Sequence, residues 1–300
     1  MPYAANPGYW FNRCLSCSEA MFTILNRACG AVLETEEQAA HALAGGVLRQ
    51  GHACGLLWGS ALEAGLRARS GYADDPETAG VAAVIWSGRL VEEFRSFAGA
   101  VNCREIIQGP LNTMKGRLAY IISGKPGLCA RNAVGWWERA DKIFQETLEP
   151  GLGAKSAGYT NCAVEMMKRL EGPLGLVPED KVLAAGFAGG LGLSGNACGA
   201  LAAAIFALGL KYYRGRKAGR DTFRQALLQE IGIGADFIQA PARLRQAFVG
   251  RYKTELCREI AGTGFDSLAA HSAFLSEGGC RELLDHVSAW TQEAAGRGNQ

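Results

Sequence analysis

Ten cysteines stand in a chain of 300 residues, and eight of them form two matching series. Cys17, Cys54, Cys103 and Cys129 are separated by 37, 49 and 26 residues; Cys162, Cys198, Cys257 and Cys280 are separated by 36, 59 and 23. The thiolate of cysteine ligates soft metals and attacks disulfides. Four thiols recurring in one order in both halves point to one constellation used twice. Three chemistries are open to it: ligation of a metal or iron–sulfur cluster, thiol–disulfide exchange, and packing of cysteine as a small buried hydrophobe. The separations are far wider than the tight C-x-x-C runs of ferredoxins and zinc ribbons, so repetition carries the signal rather than spacing.

The segments around the central cysteines must position them. Phe187–Leu210 (FAGGLGLSGNACGALAAAIFALGL) aligns without a gap on Leu43–Leu66 (LAGGVLRQGHACGLLWGSALEAGL), with 10 of 24 positions identical. The shared letters are Ala-Gly-Gly, Gly-x-Ala-Cys-Gly-x-Leu and Gly-Leu. Upstream, Cys17, Met21 and Leu25, like Cys162, Met166 and Leu170, fall at i, i+4 and i+8 on one apolar helix face. Downstream, Cys103-Arg-Glu-Ile106 matches Cys257-Arg-Glu-Ile260. The chain therefore reads as a duplication, with a first repeat over 1–150 and a second over 151–300. The longer spacing after Cys198 fits an insertion around Lys211–Arg220.

Few alternating apolar patterns occur, so the expected fold is all-α: two tandem, pseudo-symmetric helical repeats packed together. Residues 1–13 read as an extended arm, followed by a helix over about 12–27 that carries Cys14 and Cys17 one turn apart. Thr35-Glu-Glu-Gln38 reads as a capping box. A helix begins near Cys54, and a fourth runs from about Glu92 to Ile107. Ala119–Ser123 is the only strand-like text, Trp136 and Trp137 sit in a helix after Cys129, and 150–158 reads as a linker. The second half is expected to place helices at about 159–171, 179–190, 196–213, 221–232, 241–261 and 278–295. Each central cysteine follows a glycine-rich turn and opens a helix, where the macrodipole and unpaired N–H groups are expected to lower its pKa. Forty glycines in apolar text suggest close backbone approach.

Composition bounds the function. A formal net charge of +2 makes no case for nucleic acid. The N-terminal residues show neither a charged n-region nor an apolar h-region, so a reducing, cytoplasmic setting is expected, where patterned cysteines point to metal or redox chemistry. Val182–Leu210 is 29 residues without a charge. Its counterpart carries Arg49, His52 and Glu63, and seven glycines interrupt it, so it reads as a buried core and not as a membrane span.

The chain resembles the redox-active family named for its C…GCAxxG…C…C signature. Asn161-Cys-Ala163, Phe187-Ala-Gly-Gly190, Cys198-Gly-Ala200, Gly209-Leu210 and Cys257-Arg-Glu259 carry the resemblance best. A typical member is about one repeat long. The resemblance implies a helical domain, a redox role for the four cysteines, and frequent occurrence in anaerobes beside oxidoreductase genes. A similar domain in a multihaem cytochrome is associated with an iron–sulfur centre. Carried over position by position, the metal-ligand candidates are Cys17, Cys54, Cys103 and Cys129, then Cys162, Cys198, Cys257 and Cys280. The implied cofactor is an iron–sulfur cluster of the [2Fe–2S] kind or another soft metal, and the implied partner is a redox protein; a homodimer stays open. Two departures stand out: Ala203 replaces the closing glycine in the second copy, and Leu56 replaces the alanine after Cys-Gly in the first.

Other residues offer weaker signals. Cys14 reads as packing or a spare ligand, and Cys29 as core. His52 reads as a helix cap or a metal neighbour. Lys211, Arg214, Arg216, Lys217 and Arg220 read as a solvated run or a docking patch for an acidic partner. No Walker loop, dinucleotide fingerprint, Ser/His/Asp order or carboxylate pair assigns a catalytic residue. A thiol–disulfide protein and a non-catalytic scaffold with buried cysteines remain the rival readings.

Overall fold

The computed structural model describes residues 6–146, 148, 152, 158–214 and 236–296. Among them there are 15 α-helices and no strand. The first half holds α1 (Pro7–Cys14), α2 (Cys17–Ala28), α3 (Glu34–Ala39), α4 (Gly55–Gly71), α5 (Pro76–Ala98), α6 (Cys103–Ile106), α7 (Met114–Ile122) and α8 (Lys125–Gln145). The second holds α9 (Cys162–Leu174), α10 (Pro178–Leu183), α11 (Gly199–Arg214), α12 (Asp236–Tyr252), α13 (Cys257–Ala261), α14 (Leu268–Ser276) and α15 (Arg281–Gly296). A 3₁₀ turn follows α3 (Ala40–Leu43) and another follows α10 (Ala185–Phe187).

Local chemistry sets the helix ends. Asp75 accepts a hydrogen bond from Thr78 N, proline follows at N1, and Gly99 in the left-handed region closes α5. Asn161 accepts from Ala163 N and Val164 N to start α9. Several expectations are corrected here. The residues expected as an arm begin a helix at Pro7, capped by Asn6 and favoured by proline at N1. The helix expected over 12–27 is broken at Leu15, which turns left-handed, so Cys14 and Cys17 lie on different helices. The start of α3 is Leu33, whose N–H is held by the Glu37 carboxylate, and not a capping box at Thr35. Ala119–Ile122 is helical and Ser123 is the C-cap, because Thr113 caps Gly116 N and the turn propagates from there. Cys103 opens its own short helix beyond Gly99 instead of continuing α5. The linker expected at 150–158 lies almost wholly outside the described residues, as do Gly215–Arg220 of the expected insertion and the helix expected at 221–232.

The repeats interlock. Helix α4 packs on α10 and the second 3₁₀ turn, while its counterpart α11 packs on α3 and the first 3₁₀ turn. Gly65 and Gly209, the closing glycines of the shared segment, make this crossing possible. A Cβ on Gly65 would overlap the carbonyl of Val182, and one on Gly209 would sit 2.7 Å from the carbonyl of Ala39. Trp58 meets Phe187 edge to face at 5.0 Å, so the two copies share one core. The uncharged stretch at 182–210 is thus divided among a short helix, turns and α11, all buried except Gly192, Leu193 and Ser194, which are half-buried. Among the described residues no helix is long and apolar enough to cross a membrane.

Candidate redox centres

Each central cysteine is placed by a turn of unusual hand. Gly45, Gly46, Val47, Leu48 and Arg49 all have positive φ, as do Gly189, Gly190, Leu191, Gly192 and Leu193. Glycine adopts this region freely, but a β-branched residue such as Val47 does not. Both turns close with the same bonds: Gly51 N to Gly45 O and His52 N to Gly46 O, matched by Gly195 N to Gly189 O and Asn196 N to Gly190 O. Each turn delivers a one-residue antiparallel bridge, Ala53 with Asn102 and Ala197 with Leu256. Cys54 N donates to Val101 O at 2.8 Å and Cys103 N to His52 O at 2.7 Å; Cys198 N and Cys257 N repeat this with Glu255 O and Asn196 O, both at 2.7 Å. The bridge therefore fixes the second and third cysteines of each quartet side by side.

The remaining cysteines arrive on other helix starts. Cys17, Cys103, Cys162 and Cys257 are the first residues of α2, α6, α9 and α13, Cys54 caps α4, and Cys129 lies in the second turn of α8. Cys198 and Cys280 immediately precede α11 and α15. Backbone N–H groups face three of these thiols, Leu56 at Cys54, Gly189 and Ala163 at Cys162, and Leu201 and Ala200 at Cys198, a setting that favours negative charge. Gly55 has no side chain where the Cys17 sulfur needs room: a Cβ there would overlap Sγ. Cys17, Cys103 and Cys129 line a common cavity. None of the ten cysteines is joined in a disulfide.

Charge couples the members of each quartet. Burial pushes the Cys54 thiol well above its usual pKa, and the charges of Cys17, Cys103 and Cys129 push it further, against one N–H of Leu56. Cys103 is raised by burial and then by Cys17 and Cys129. Cys257 is raised by burial and then by Cys198, Cys162 and Cys280. Cys162 is raised by burial, with Cys198 and Cys280 adding to it and the N–H groups of Gly189 and Ala163 opposing. Cys280 is pushed up to about 12, by burial first and then by Cys198. Cys198 is raised by burial despite the N–H groups of Leu201 and Ala200. The helix-start effect expected to lower these values is present, but desolvation of a lone thiolate outweighs it. Cys129 is raised by burial too, opposed by a hydrogen bond from Tyr120. Near neutral pH the thiols so raised keep their protons.

Among the described residues no three His, Cys, Asp or Glu side chains stand at the spacing a single metal ion takes. A tetrahedral ion with metal–sulfur bonds of about 2.3 Å draws its sulfurs to about 3.8 Å of one another. The donor set itself, four thiols and nothing harder, suits a soft metal or a cluster. Leu56 and Ala203, the two departures from the signature, are both buried in the core.

Residues outside the quartets resolve differently from expectation. Cys14 is buried and lies 4.0 Å from Thr23 Oγ1, which is packing. Cys29, expected in the core, is exposed and bonds the Asn26 carbonyl and Glu63. His52 neither caps α4 nor joins a ligand group; its Nε2 lies 3.2 Å from Glu255 Oε2 in the other repeat. Asn196, its counterpart, accepts from Ala53 N at 2.8 Å and Ala197 N at 2.9 Å, and donates to Asn102 Oδ1 at 2.8 Å. One amide oxygen thus ties together the residues preceding Cys54 and Cys198. Tyr120, Glu255 and this junction gave no signal in the sequence, because their partners are distant along the chain.

The family model described as "Putative redox-active protein (C_GCAxxG_C_C)" matches residues 15–136 and again residues 160–294. The chain belongs to this family. Each match holds one complete quartet, so the chain is a tandem duplication of the family's domain. Comparison with curated proteins and with solved structures gives no match.

Proposed function

We propose that each repeat of this redox-active protein holds an iron–sulfur cluster through its four cysteines: Cys17, Cys54, Cys103 and Cys129 in one, Cys162, Cys198, Cys257 and Cys280 in the other. The observation that supports the reading is that four buried or half-buried thiols, distant along the chain, lie close enough in each repeat to feel one another's charge. The donor set, four thiols per repeat and nothing harder, is of the kind that an iron–sulfur cluster takes. Bound iron supplies one-electron chemistry, and the N–H groups of the helix starts stabilise the negative charge of the ligated sulfurs. The protein then acts as an electron carrier for a partner oxidoreductase in the reducing cytoplasm. Thiol–disulfide exchange fits less well, because a buried thiol with a raised pKa is a poor nucleophile. Anaerobic purification with iron and acid-labile sulfide analysis tests the reading. Iron and sulfide in equal amounts, with an EPR signal after dithionite reduction, are expected; protein that holds neither and cannot be reconstituted with them overturns it.

A further inference from the structure

Helix α7 leaves its apolar residues uncovered. It rests on α8, and none of its residues is buried. Met114, Leu118, Ile121 and Ile122 are 63%, 57%, 48% and 76% exposed. At i, i+4, i+7 and i+8 they form one stripe along the helix. The stripe ends at Ser123 and Gly124, both exposed, where the chain turns into α8. Ile121 and Ile122 therefore sit at the tip of a helical hairpin.

The charge around the stripe has one sign. From Ile106 to Trp137 the chain holds Lys115, Arg117, Lys125 and Arg131 and no acidic residue. Arg117 bonds the Leu111 carbonyl, and Lys125 reaches the Gln108 carbonyl at 3.5 Å. Lys115 and Arg131 are exposed and meet no partner among the described residues. Lys115 follows Met114 and borders the stripe. Helix α14 takes the same place in the second repeat, between the third and fourth cysteines, and has a different character. Its Leu268, Phe274 and Leu275 are half-buried, Phe274 packs on Phe265 at 5.3 Å, and Asp266 and Glu277 flank it. An uncovered apolar stripe is thus not something the fold requires at this position.

We propose that α7 seats the first repeat on an anionic lipid surface. The stripe enters the boundary between headgroups and acyl chains, and Lys115 and Arg131 meet lipid phosphates. The stripe is aliphatic or thioether throughout. It offers no aromatic, hydroxyl or amide anchor of the kind that concentrates binding energy between proteins. A second copy of the chain would set like charge against like charge. A soft, negatively charged surface meets both conditions. Such a contact lies along the bilayer and needs no spanning helix, and the described residues hold none.

The test is co-sedimentation of the full chain with vesicles of phosphatidylcholine, alone or with about one-third phosphatidylglycerol. Binding to the mixed vesicles is expected, about tenfold tighter than to phosphatidylcholine alone. It should weaken as salt rises. Ile122→Ser should weaken it by about tenfold, and Lys115→Gln by about fivefold. Both side chains are exposed, so both variants should melt as the unaltered chain does. Val177→Ser, at an exposed apolar residue of the second repeat, should bind unchanged. No binding to the mixed vesicles, or full binding by Ile122→Ser or Lys115→Gln, overturns the proposal. Capture of poly-L-glutamate without capture of vesicles also overturns it, since the partner is then an acidic protein. A solution dimer that Ile122→Ser dissociates does so too, since a second copy then covers the stripe. Vesicle binding needs no metal, so it stands or falls apart from iron content.

Discussion

Two buried ionisable groups away from the quartets set opposite pH slopes. Glu63 sits in α4 against Arg67, and burial raises its carboxyl to about 7. The folded chain therefore holds this proton more tightly than the unfolded chain does. That contribution is complete below the unfolded pKa of 4.5 and is lost as pH rises through about 7. Glu63→Gln should flatten the stability profile between pH 5 and 8, read as urea midpoints; an unchanged slope would refute the assignment. His271 runs the other way, since burial lowers it to about 4. Its contribution is present above 6.5 and disappears as pH falls through about 4. Proton NMR should find the His271 ring still neutral at pH 5.

Among the elements, the crossing of α4 on the second repeat and of α11 on the first is the most demanding contact. Gly65→Ala forces a methyl into the backbone of Val182 and Leu183. Overpacking of this kind costs about 1–3 kcal/mol. Gly80, inside α5, has open space where a Cβ would stand. Gly80→Ala is therefore expected to stabilise by about 0.5–1 kcal/mol through helix propensity alone. Equal thermal shifts of the same sign in both variants would contradict this account. Asn196→Ala should also destabilise, because the buried N–H of Ala53 loses its acceptor across the repeat junction.

For the whole molecule, the quartets are separate in sequence while the core is shared. Cys54→Ser should remove about half the iron and sulfide if each repeat holds its own cluster by four thiolates. Loss of all of it would mean that the two sites load together. Metal loading should release protons, since buried neutral thiols must ionise to ligate, and should raise the melting temperature. Expressed alone, residues 1–150 would expose the faces of α3 and α4 that the second repeat covers; a cooperative melt of that fragment would show that the interlock is dispensable.

The duplication, the all-α class and the eight quartet cysteines were legible because local signals repeat: Gly-x-Ala-Cys-Gly, the Cys-Met-Leu face and Cys-Arg-Glu-Ile each recur in order. The helix breaks at Leu15 and Gly99 were not, because the same apolar periodicity runs past them. Tertiary structure alone decided three further things. It set the second and third cysteines of each quartet side by side through left-handed turns whose strain no propensity scale anticipates. It reversed the expected sign of the central thiols' pKa, since desolvation is a property of the packed surroundings and not of the helix start. It also crossed the repeats over one another, because Gly65 and Gly209 remove side chains only where another backbone arrives, and that backbone comes from the other half of the chain.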